Sequence, residues 1–247
     1  MKINDIIAYT KELAPYETAG EWDNVGLLVG SGDTEVCRVL TALDITPAVV
    51  EEAREKDCKL IVSHHPVIFD PLKTLTPDSA VYALVKNDIA ALCLHTNLDR
   101  AEQGVNTALG KALGLKNTVL YPDDYLLIGD TDAAYTAAEY AALIKERLNA
   151  PDVRFTGGTV HRVAVSSGGG GEGVELAARY GFDAFVTGEM KHHQYLWAAA
   201  HGIAAFDAGH FSTEDVVIKP LTALFTKRFP DTRFIIGNSC VCPYDAI

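Results

Sequence analysis

Four short polar clusters carry most of the side chains that could do chemistry, and each comes just after an apolar run. The first is His64-His65, after the run LIVS. The second is HTNLD at 95–99, after IAALCL, and it brings His95 and Asp99. Neutral imidazole and carboxylate groups are common ligands of divalent metal ions. These two clusters therefore make metal binding the first chemistry to consider.

The other two clusters lie in the second half of the chain. GHFSTE at 209–214 follows the run IAAF, and its His210 and Glu214 are four residues apart, so that a short turn can direct both at one point. TGEMKHH at 187–193 follows the run AFVT. There Glu189 and the pair His192-His193 are candidates for orienting metal ligands or contacting substrate.

Each cluster also has a purely structural interpretation. The pair His64-His65 could be two partly exposed polar residues at a strand end. Asn97 or Asp99 could cap the helix that follows, or Asp99 could pair with Arg100.

The second-half clusters have similar alternatives. Ser212 or Thr213 could cap a helix whose first turn contains Glu214. For His192, a solvent-facing position at a helix start is the preferred interpretation. Because all four clusters fall at predicted strand ends, their combination favours a metal site over these separate explanations.

Apolar runs of about five residues alternate with helical patterns, which is typical of an α/β fold with mostly parallel sheets. The predicted strands are Val39–Leu43, Leu60–Ser63, Ile89–Leu94, Val163–Ser166, Ala184–Thr187, Ile203–Phe206 and Arg233–Ile236. The predicted helices cover residues 3–13, 47–56, 78–87, 101–113, 136–148, 173–180, 190–201 and 213–228.

The two halves repeat the same arrangement of strand, helix, strand, helix and strand, although their residues differ. This predicts a single unit, 1–247, made of two similar α/β lobes of approximately 1–125 and 126–247, with the join in the Asp-, Gly- and Pro-rich stretch 115–160. Ligands collect at the carboxyl ends of parallel strands. A metal-binding cleft between the lobes is therefore expected.

Two further features have a structural interpretation first. The run Gly168–Gly171 follows a strand and could expose backbone N–H groups to an anion, but it matches no nucleotide-binding pattern, and a tight connector is preferred. The five cysteines are irregularly spaced, which favours free thiols in a reducing compartment. Cys240 and Cys242 are interpreted as structural because no second pair completes a tetrahedral site.

Composition narrows the classes of partner. The formal charge of −12 repels a phosphate backbone, so nucleic-acid binding is disfavoured. The N-terminal segment MKINDIIAYTKELAP has charges among its apolar residues, unlike a signal peptide. No stretch approaches the length of a membrane span. A cytoplasmic protein is expected.

The clusters also resemble a known family. HHP followed by Phe69, HTNLD with GVN at 104–106 and LGL at 113–115, TGE with HH, and GHFSTE are similar in order and content to the Nif-three-like family. The early segment WDNVGL at 22–27 fits as well. Its members are often described as GTP cyclohydrolase I type 2 homologues or dinuclear metal-centre proteins. The resemblance spans nearly the whole chain.

This resemblance implies a two-lobed α/β fold, a dinuclear metal site and a ring-shaped homohexamer. The family's metal ligands correspond here to His64, His65, Asp99, His210 and Glu214, all of which are present. Two divalent ions are expected per chain. Three histidines and two carboxylates suit Zn, Fe, Mn, Co or Ni.

Two functions follow from such a site. The first is a metal-dependent hydrolase that acts through metal-activated water, cyclohydrolase-like, on a small molecule that could be a nucleotide. In it, Glu214 or Asp99 would bridge the ions, and His95 and His193 are the candidate proton-transfer residues because neither is in the ligand set. The alternative is a non-catalytic metal carrier, sensor or scaffold protein.

Overall fold

Strands and helices alternate along the chain, as the hydrophobic pattern predicts. The computed structural model describes residues 1–246. The strands are β1 Gly26–Val29, β2 Arg38–Ala42, β3 Leu60–Ser63, β4 Ala90–Cys93, β5 Lys116–Tyr121, β6 Leu126–Thr136, β7 Arg154–Phe155, β8 Thr159–Ser166, β9 Ala184–Thr187, β10 Ala204–Asp207 and β11 Arg233–Ile236. The α-helices are α1 Ile3–Leu13, α2 Pro47–Glu55, α3 Ala80–Lys86, α4 Thr96–Asp99, α5 Val105–Ala112, α6 Ala137–Leu148, α7 Gly173–Arg179, α8 His192–Ala200, α9 His210–Glu214 and α10 Ile218–Arg228.

All seven predicted strands are present, most of them within one residue of the predicted bounds. β8 starts four residues earlier than predicted, and β1, β5, β6 and β7 were not predicted. β6 carries polar residues along its second half, and β7 has only two residues, so neither shows the apolar run by which the other strands are found. The helix predicted over 213–228 is instead α9, a 3-10 turn at Asp215–Val217 and α10.

Internal contacts divide the chain into two units. The first contains Met1–Ala101 and Ile218–Val241, and the second contains Glu102–Val217 and the C-terminal residues from Cys242. This division differs from the predicted lobes because the C-terminal strand β11 pairs in parallel with β2 of the first unit. Strand pairing over this sequence distance leaves no local signal in composition.

The first unit is built on a five-stranded sheet in the order β1-β4-β3-β2-β11, in which only β1 is antiparallel to its neighbour. Alternate residues of a strand face opposite sides. Leu40 and Ala42 of β2 accordingly join the apolar cluster with α2 and α3, whereas Thr41 contacts Thr222 of α10 at 2.7 Å. Both faces of the strand are covered, which explains why its sequence is almost continuously apolar.

The second unit is built on a six-stranded sheet in the order β5-β6-β8-β9-β10-β7. Strands β8, β9 and β10 are parallel, while β5, β6 and β7 pair antiparallel with their neighbours. Val163 and Val165 of β8 lie in the cluster with α5 and α6. Ala164 lies in the opposite cluster with α7 and α8. The sheets are thus partly parallel, less so in the second unit than predicted.

The predicted repeat of arrangement is present in the two sheets and extends by one strand. In the first, β1 precedes three parallel strands, β2, β3 and β4, and pairs antiparallel with the last of them. In the second, β7 stands in the same relation to β8, β9 and β10. Within each unit, the carboxyl ends of the three parallel strands form one edge, and all four polar clusters follow such ends. Among the described residues, no helix has both the length and the apolar character needed to cross a membrane.

Glu52 of α2 fixes the segment that follows β11. Its carboxylate accepts hydrogen bonds from Asn238 N at 2.9 Å and Ser239 N at 2.7 Å, and it pairs with Lys56. Burial alone would raise the pKa of Glu52, but these three donors lower it to about 2 from its ordinary 4.5. The ionised carboxylate therefore stabilises the fold above pH 4.5, and this contribution is lost as pH falls through about 2.

Glu52→Gln should lower the free energy of unfolding at pH 7 by about 1–3 kcal/mol, because a buried, charge-assisted set of hydrogen bonds is weakened. The difference from the parent, measured by urea denaturation, should shrink between pH 4.5 and 2 as the parent carboxyl protonates. Glu51→Gln is the matched control, since Glu51 pairs with Arg54 on the exposed face of the same helix. Equal effects of the two variants would contradict this role of Glu52.

Candidate metal centre

His64 and His65 lie immediately after β3, in a bend at the carboxyl edge of the first sheet. Their rings are 5.0 Å apart, and their Nδ1 atoms face opposite neighbours of β3. His64 Nδ1 lies 2.9 Å from Leu94 O, which follows β4, and His65 Nδ1 lies 2.7 Å from Asp44 Oδ1, which follows β2. The order β4-β3-β2 therefore gives each imidazole its own oxygen partner.

These contacts determine the tautomer of each ring. A carbonyl or carboxylate oxygen can only accept, so Nδ1 must carry the proton and donate. In the neutral imidazole the lone pair is then on Nε2, the atom available to a metal. His64 is fully buried, so its neutral form is the one that burial favours.

The ring of His95, after the neighbouring strand β4, is also held at Nδ1 by an oxygen acceptor. Its Nδ1 lies 2.7 Å from Asp23 Oδ1. Asp23 also accepts from the backbone N–H of Thr96 at 3.1 Å and from the Thr96 hydroxyl. Burial alone would raise the pKa of Asp23, but the hydrogen bonds from His95 and Thr96 hold it at about 2. An ionised Asp23 thus fixes the His95 ring with Nε2 as its acceptor nitrogen.

The three histidines of the first unit form one group. One ring nitrogen of each of His64, His65 and His95 lies within 4.8 Å of the others, a spacing that one metal ion can bridge. Asp99, the last residue of α4, places Oδ1 at 3.8 Å from His64 Nε2. Four nitrogen and carboxylate donors thus meet at this edge.

The predicted helix-cap role in the second cluster is wrong. Helix α5 begins at Val105 with Gly104 at its N-cap, so neither Asn97 nor Asp99 caps it. Asn97 is buried and donates to Ala14 O at 2.8 Å, which is a role in the fold rather than at the site.

His210 and Glu214 are the first and last residues of the short helix α9. Residues four apart lie on the same helix face, and His210 Nε2 lies 3.0 Å from Glu214 Oε2. His210 Nδ1 lies 2.8 Å from Glu189 Oε1. Glu189, a candidate for orienting a metal ligand on sequence grounds, therefore orients His210. The predicted cap is wrong, because Gly209, not Ser212 or Thr213, occupies the N-cap.

The glycine run after β8 leaves room for this pair. Gly168 has a φ of +55°, and a Cβ there would overlap Glu214 Oε1 and lie 3.0 Å from His210 Nε2. Gly168 N also donates to Thr213 Oγ1 at 3.1 Å, which ties the run to α9. The glycine at this position is therefore needed for space and for backbone conformation.

His192 and His193 start helix α8, and both are exposed. Among the described residues, neither His192 nor His193 belongs to the group of metal-donor atoms in the first unit. The ring of His210 is oriented by Glu189 and not by either of these histidines. His95 is thus the proton-transfer candidate that the geometry brings beside possible metal ligands, and the role of His193 stays a prediction.

Two residues of the centre were missed. Asp44 follows β2 as the other clusters follow their strands, but it stands alone in an apolar stretch. Asp23 belongs to the segment WDNVGL, which entered only through the resemblance. A lone carboxylate 21 or 72 residues from its histidine carries no spacing signal.

The donor set fits divalent metal ions of borderline character. Imidazole nitrogens with carboxylate oxygens suit Zn and similar ions, and metal-binding histidines characteristically give their other nitrogen to a carboxylate or carbonyl oxygen. All four histidines, His64, His65, His95 and His210, show this pattern. The fold and these residues together define an α/β protein with a candidate metal centre.

Comparison with known proteins identifies the family of the chain. Residues 1–240 match the family described as Duf34/NIF3 (NGG1p interacting factor 3), and the chain belongs to that family. A protein of Clostridium perfringens named GTP cyclohydrolase 1 type 2 homolog is 31% identical over 262 residues, covering 100% of each chain. A protein of the same name from Staphylococcus aureus is 30% identical, covering 93% of this chain and 94% of its own.

Solved structures show the same fold. Staphylococcus aureus protein SA1388 superposes with a TM-score of 0.94 at 31% identity, covering 100% of this chain and 99% of its own. Reduced HcgD from Methanocaldococcus jannaschii superposes with a TM-score of 0.82 at 28% identity, covering 96% and 98%. The predicted α/β class and family are thereby confirmed.

Gly168→Ala should lower the free energy of unfolding by about 1–3 kcal/mol, because an L side chain is strained at a φ of +55° and displaces Glu214. It should also weaken zinc uptake, measured by isothermal titration calorimetry. Gly169→Ala is the matched control, since a Cβ there meets its nearest atom, Glu189 Oε2, at 4.0 Å. A Gly168→Ala protein as stable as Gly169→Ala would contradict the spatial role of Gly168.

Proposed function

We propose that this chain is a metal-dependent hydrolase that binds two divalent ions through His64, His65, Asp99, His210 and Glu214. The observation that carries the proposal is the orientation of the histidines. His64 and His65 donate from Nδ1 to an oxygen acceptor and so keep the Nε2 lone pair for a metal ion. His210 is positioned between two carboxylates, Glu189 at Nδ1 and Glu214 at Nε2. Ordinary surface histidines have no need of such fixed tautomers.

The reaction class is supported by chemistry and by relatives. When bound, two divalent ions would activate a water molecule and polarise the substrate atom that it attacks. Curated relatives carry the name GTP cyclohydrolase 1 type 2 homolog. Opening a purine ring needs activated water, so a cyclohydrolase-like reaction on a nucleotide or another small molecule is consistent with the site. The acidic charge of the chain does not favour a triphosphate.

His95 is the residue that favours catalysis over storage. Its Nδ1 is held by the ionised Asp23, so its Nε2 can accept a proton and release it again. A carboxylate hydrogen-bonded to an imidazole fixes the tautomer and orientation of the ring, as in hydrolytic triads. A carrier, sensor or scaffold needs ligands but not this fixed acid–base pair, although His95 could also be a ligand. His193 is retained as a second proton-transfer candidate on sequence grounds.

The assembly and location follow from the family resemblance. We propose a cytoplasmic homo-oligomer, a hexamer, that acts on a small molecule and not on nucleic acid. Light scattering that gave the mass of a monomer would contradict the assembly.

The untagged protein should contain about two divalent ions per chain by elemental analysis, with Zn, Fe, Mn, Co or Ni supplied. His64→Ala and Glu214→Ala should each lose metal, because each removes one proposed ligand. Asp44→Asn should weaken metal affinity about 10- to 100-fold without removing a ligand, because His65 loses its charged partner.

His201→Ala is the control for these variants, since His201 lies just after α8, where it stacks on Trp197 and is bound to its carbonyl. Its metal content should equal that of the parent. A folded parent that takes up none of the five metals would overturn the proposal.

His95→Asn should keep both ions and lower turnover of whatever substrate a screen of nucleotides, amides and phosphate esters identifies, by about 100-fold or more. Asp23→Asn should lower turnover less and change the pH–rate profile, because the ring keeps a hydrogen bond but loses the charge. Loss of one ion in His95→Asn would show that His95 is a ligand. A fully loaded protein that turns over nothing but transfers metal to an apo-acceptor would favour the carrier.

A further inference from the structure

Two exposed aromatic side chains lie beside His95. Trp22 is 64% exposed and Phe69 is 46% exposed, although both are large and apolar. Their ring centroids are 5.9 Å apart, and each lies 6.2 Å from the His95 ring, edge-on to it. The pair, here called the aromatic platform, is the apolar surface next to the proposed proton-transfer residue.

The segment that carries Trp22 is tightly held. Gly20 lies against the indole, since a Cβ there would be 3.0 Å from the ring atom Cε2. Gly20 N donates to Thr96 Oγ1 at 2.9 Å, and the adjacent Asp23 is bound to both His95 and Thr96. The same buried carboxylate therefore fixes the catalytic candidate and the neighbouring indole.

The segment that carries Phe69 is tied to the same place. Asn24 donates from Nδ2 to Ile68 O at 2.7 Å, which joins the loop after β3 to the Trp22 segment. Two loops that are distant in sequence thus present their aromatic rings together. Exposed aromatic rings in a fixed arrangement are a preformed surface for a flat ligand, since little side-chain freedom is lost on binding.

The charge beside the platform restricts that ligand. Glu21 precedes Trp22 and Asp70 follows Phe69, and both carboxylates are exposed. With the whole chain at −12, a polyphosphate is repelled at this surface when no metal ion is bound nearby. In the metal-free protein, the flat part of the ligand must therefore supply the affinity, rather than an anionic part.

We propose that the aromatic platform of Trp22 and Phe69 stacks a planar heteroaromatic ring of nucleobase size and so sets the substrate class of the proposed hydrolase, on which this inference rests. The ring would be placed beside His95, the proposed proton-transfer residue. Because stacking accepts any base with a π-face, purine nucleosides should bind without a requirement for phosphate. Phe69 and Trp22 are then specificity-determining residues and supply no metal ligand.

The chain has only two tryptophans, which makes the test direct. Trp197→Phe leaves Trp22 as the sole indole, and Trp197 stacks on His201 rather than on the platform. In this background, zinc-loaded and metal-free protein are titrated with guanosine, adenosine, GTP and ribose 5-phosphate while Trp22 fluorescence is followed. The metal content of each sample is measured in parallel.

Both nucleosides should quench Trp22 saturably, and ribose 5-phosphate should not quench. In the metal-free protein, GTP should bind no tighter than guanosine. Phe69→Ala should weaken nucleoside binding about tenfold, because one stacking partner is lost. Leu72→Ala is the matched control, since Leu72 is 52% exposed in the same loop, and its affinity should stay within twofold of the parent. Trp22→Ala, measured by equilibrium dialysis, should match Phe69→Ala.

Failure of the platform and failure of the metal centre are separable. Metal-loaded, folded protein without saturable quenching, or with equal affinity in Phe69→Ala and Leu72→Ala, would overturn the platform and leave the metal centre. Trp22 shielded from acrylamide by a second copy of the chain would also overturn it. Stacking that persists in a protein unable to take up metal would instead overturn the proposed function and retain the platform.

Discussion

A neutral imidazole has one N–H and one lone pair, and the candidate centre depends on which nitrogen has which. In His64, His65 and His95 of the first unit the N–H is on Nδ1, because an oxygen that can only accept lies within 2.9 Å of it. The lone pair is therefore on Nε2 in every case. Without these oxygens, the rings could rotate or exchange tautomers, and the donor atoms would have no common direction.

The parallel order of the strands provides these oxygens. His65 follows β3 and its partner Asp44 follows the neighbouring β2, while His210 follows β10 and Glu189 follows the neighbouring β9. Carboxyl ends of adjacent parallel strands lie one strand spacing apart, about 4.8 Å. A side chain from one end therefore reaches the ring on the next. The strand repeat in the two sheets is thus also a repeat of histidine beside orienting carboxylate.

The sequence predicts the candidate metal ligands better than it predicts their hydrogen-bond partners. His64, Asp99 and Glu214 can be found because several metal-donor types follow apolar runs, and such runs are read directly. Asp44 could not be assigned to His65, because that assignment requires knowing that β2 and β3 are neighbours. Strands were missed for a related reason: β6 is stabilised by pairing with β5 and β8 along a half-polar sequence, and pairing leaves no local pattern.

For the glycine run, the sequence predicts the backbone conformation correctly but does not show why a glycine is needed there. Gly168 adopts the left-handed backbone that a tight connector requires, as expected. Glu214 of the same chain lies against Gly168. Neither interpretation of the run, as a connector or as an anion-binding loop, predicts this contact. A carboxylate of 4% exposure needs donors nearby, and a side chain at Gly168 would take the space that Glu214 and His210 share. The glycine after β8 and the histidine after β10 therefore depend on each other, because both occupy the same edge of the sheet.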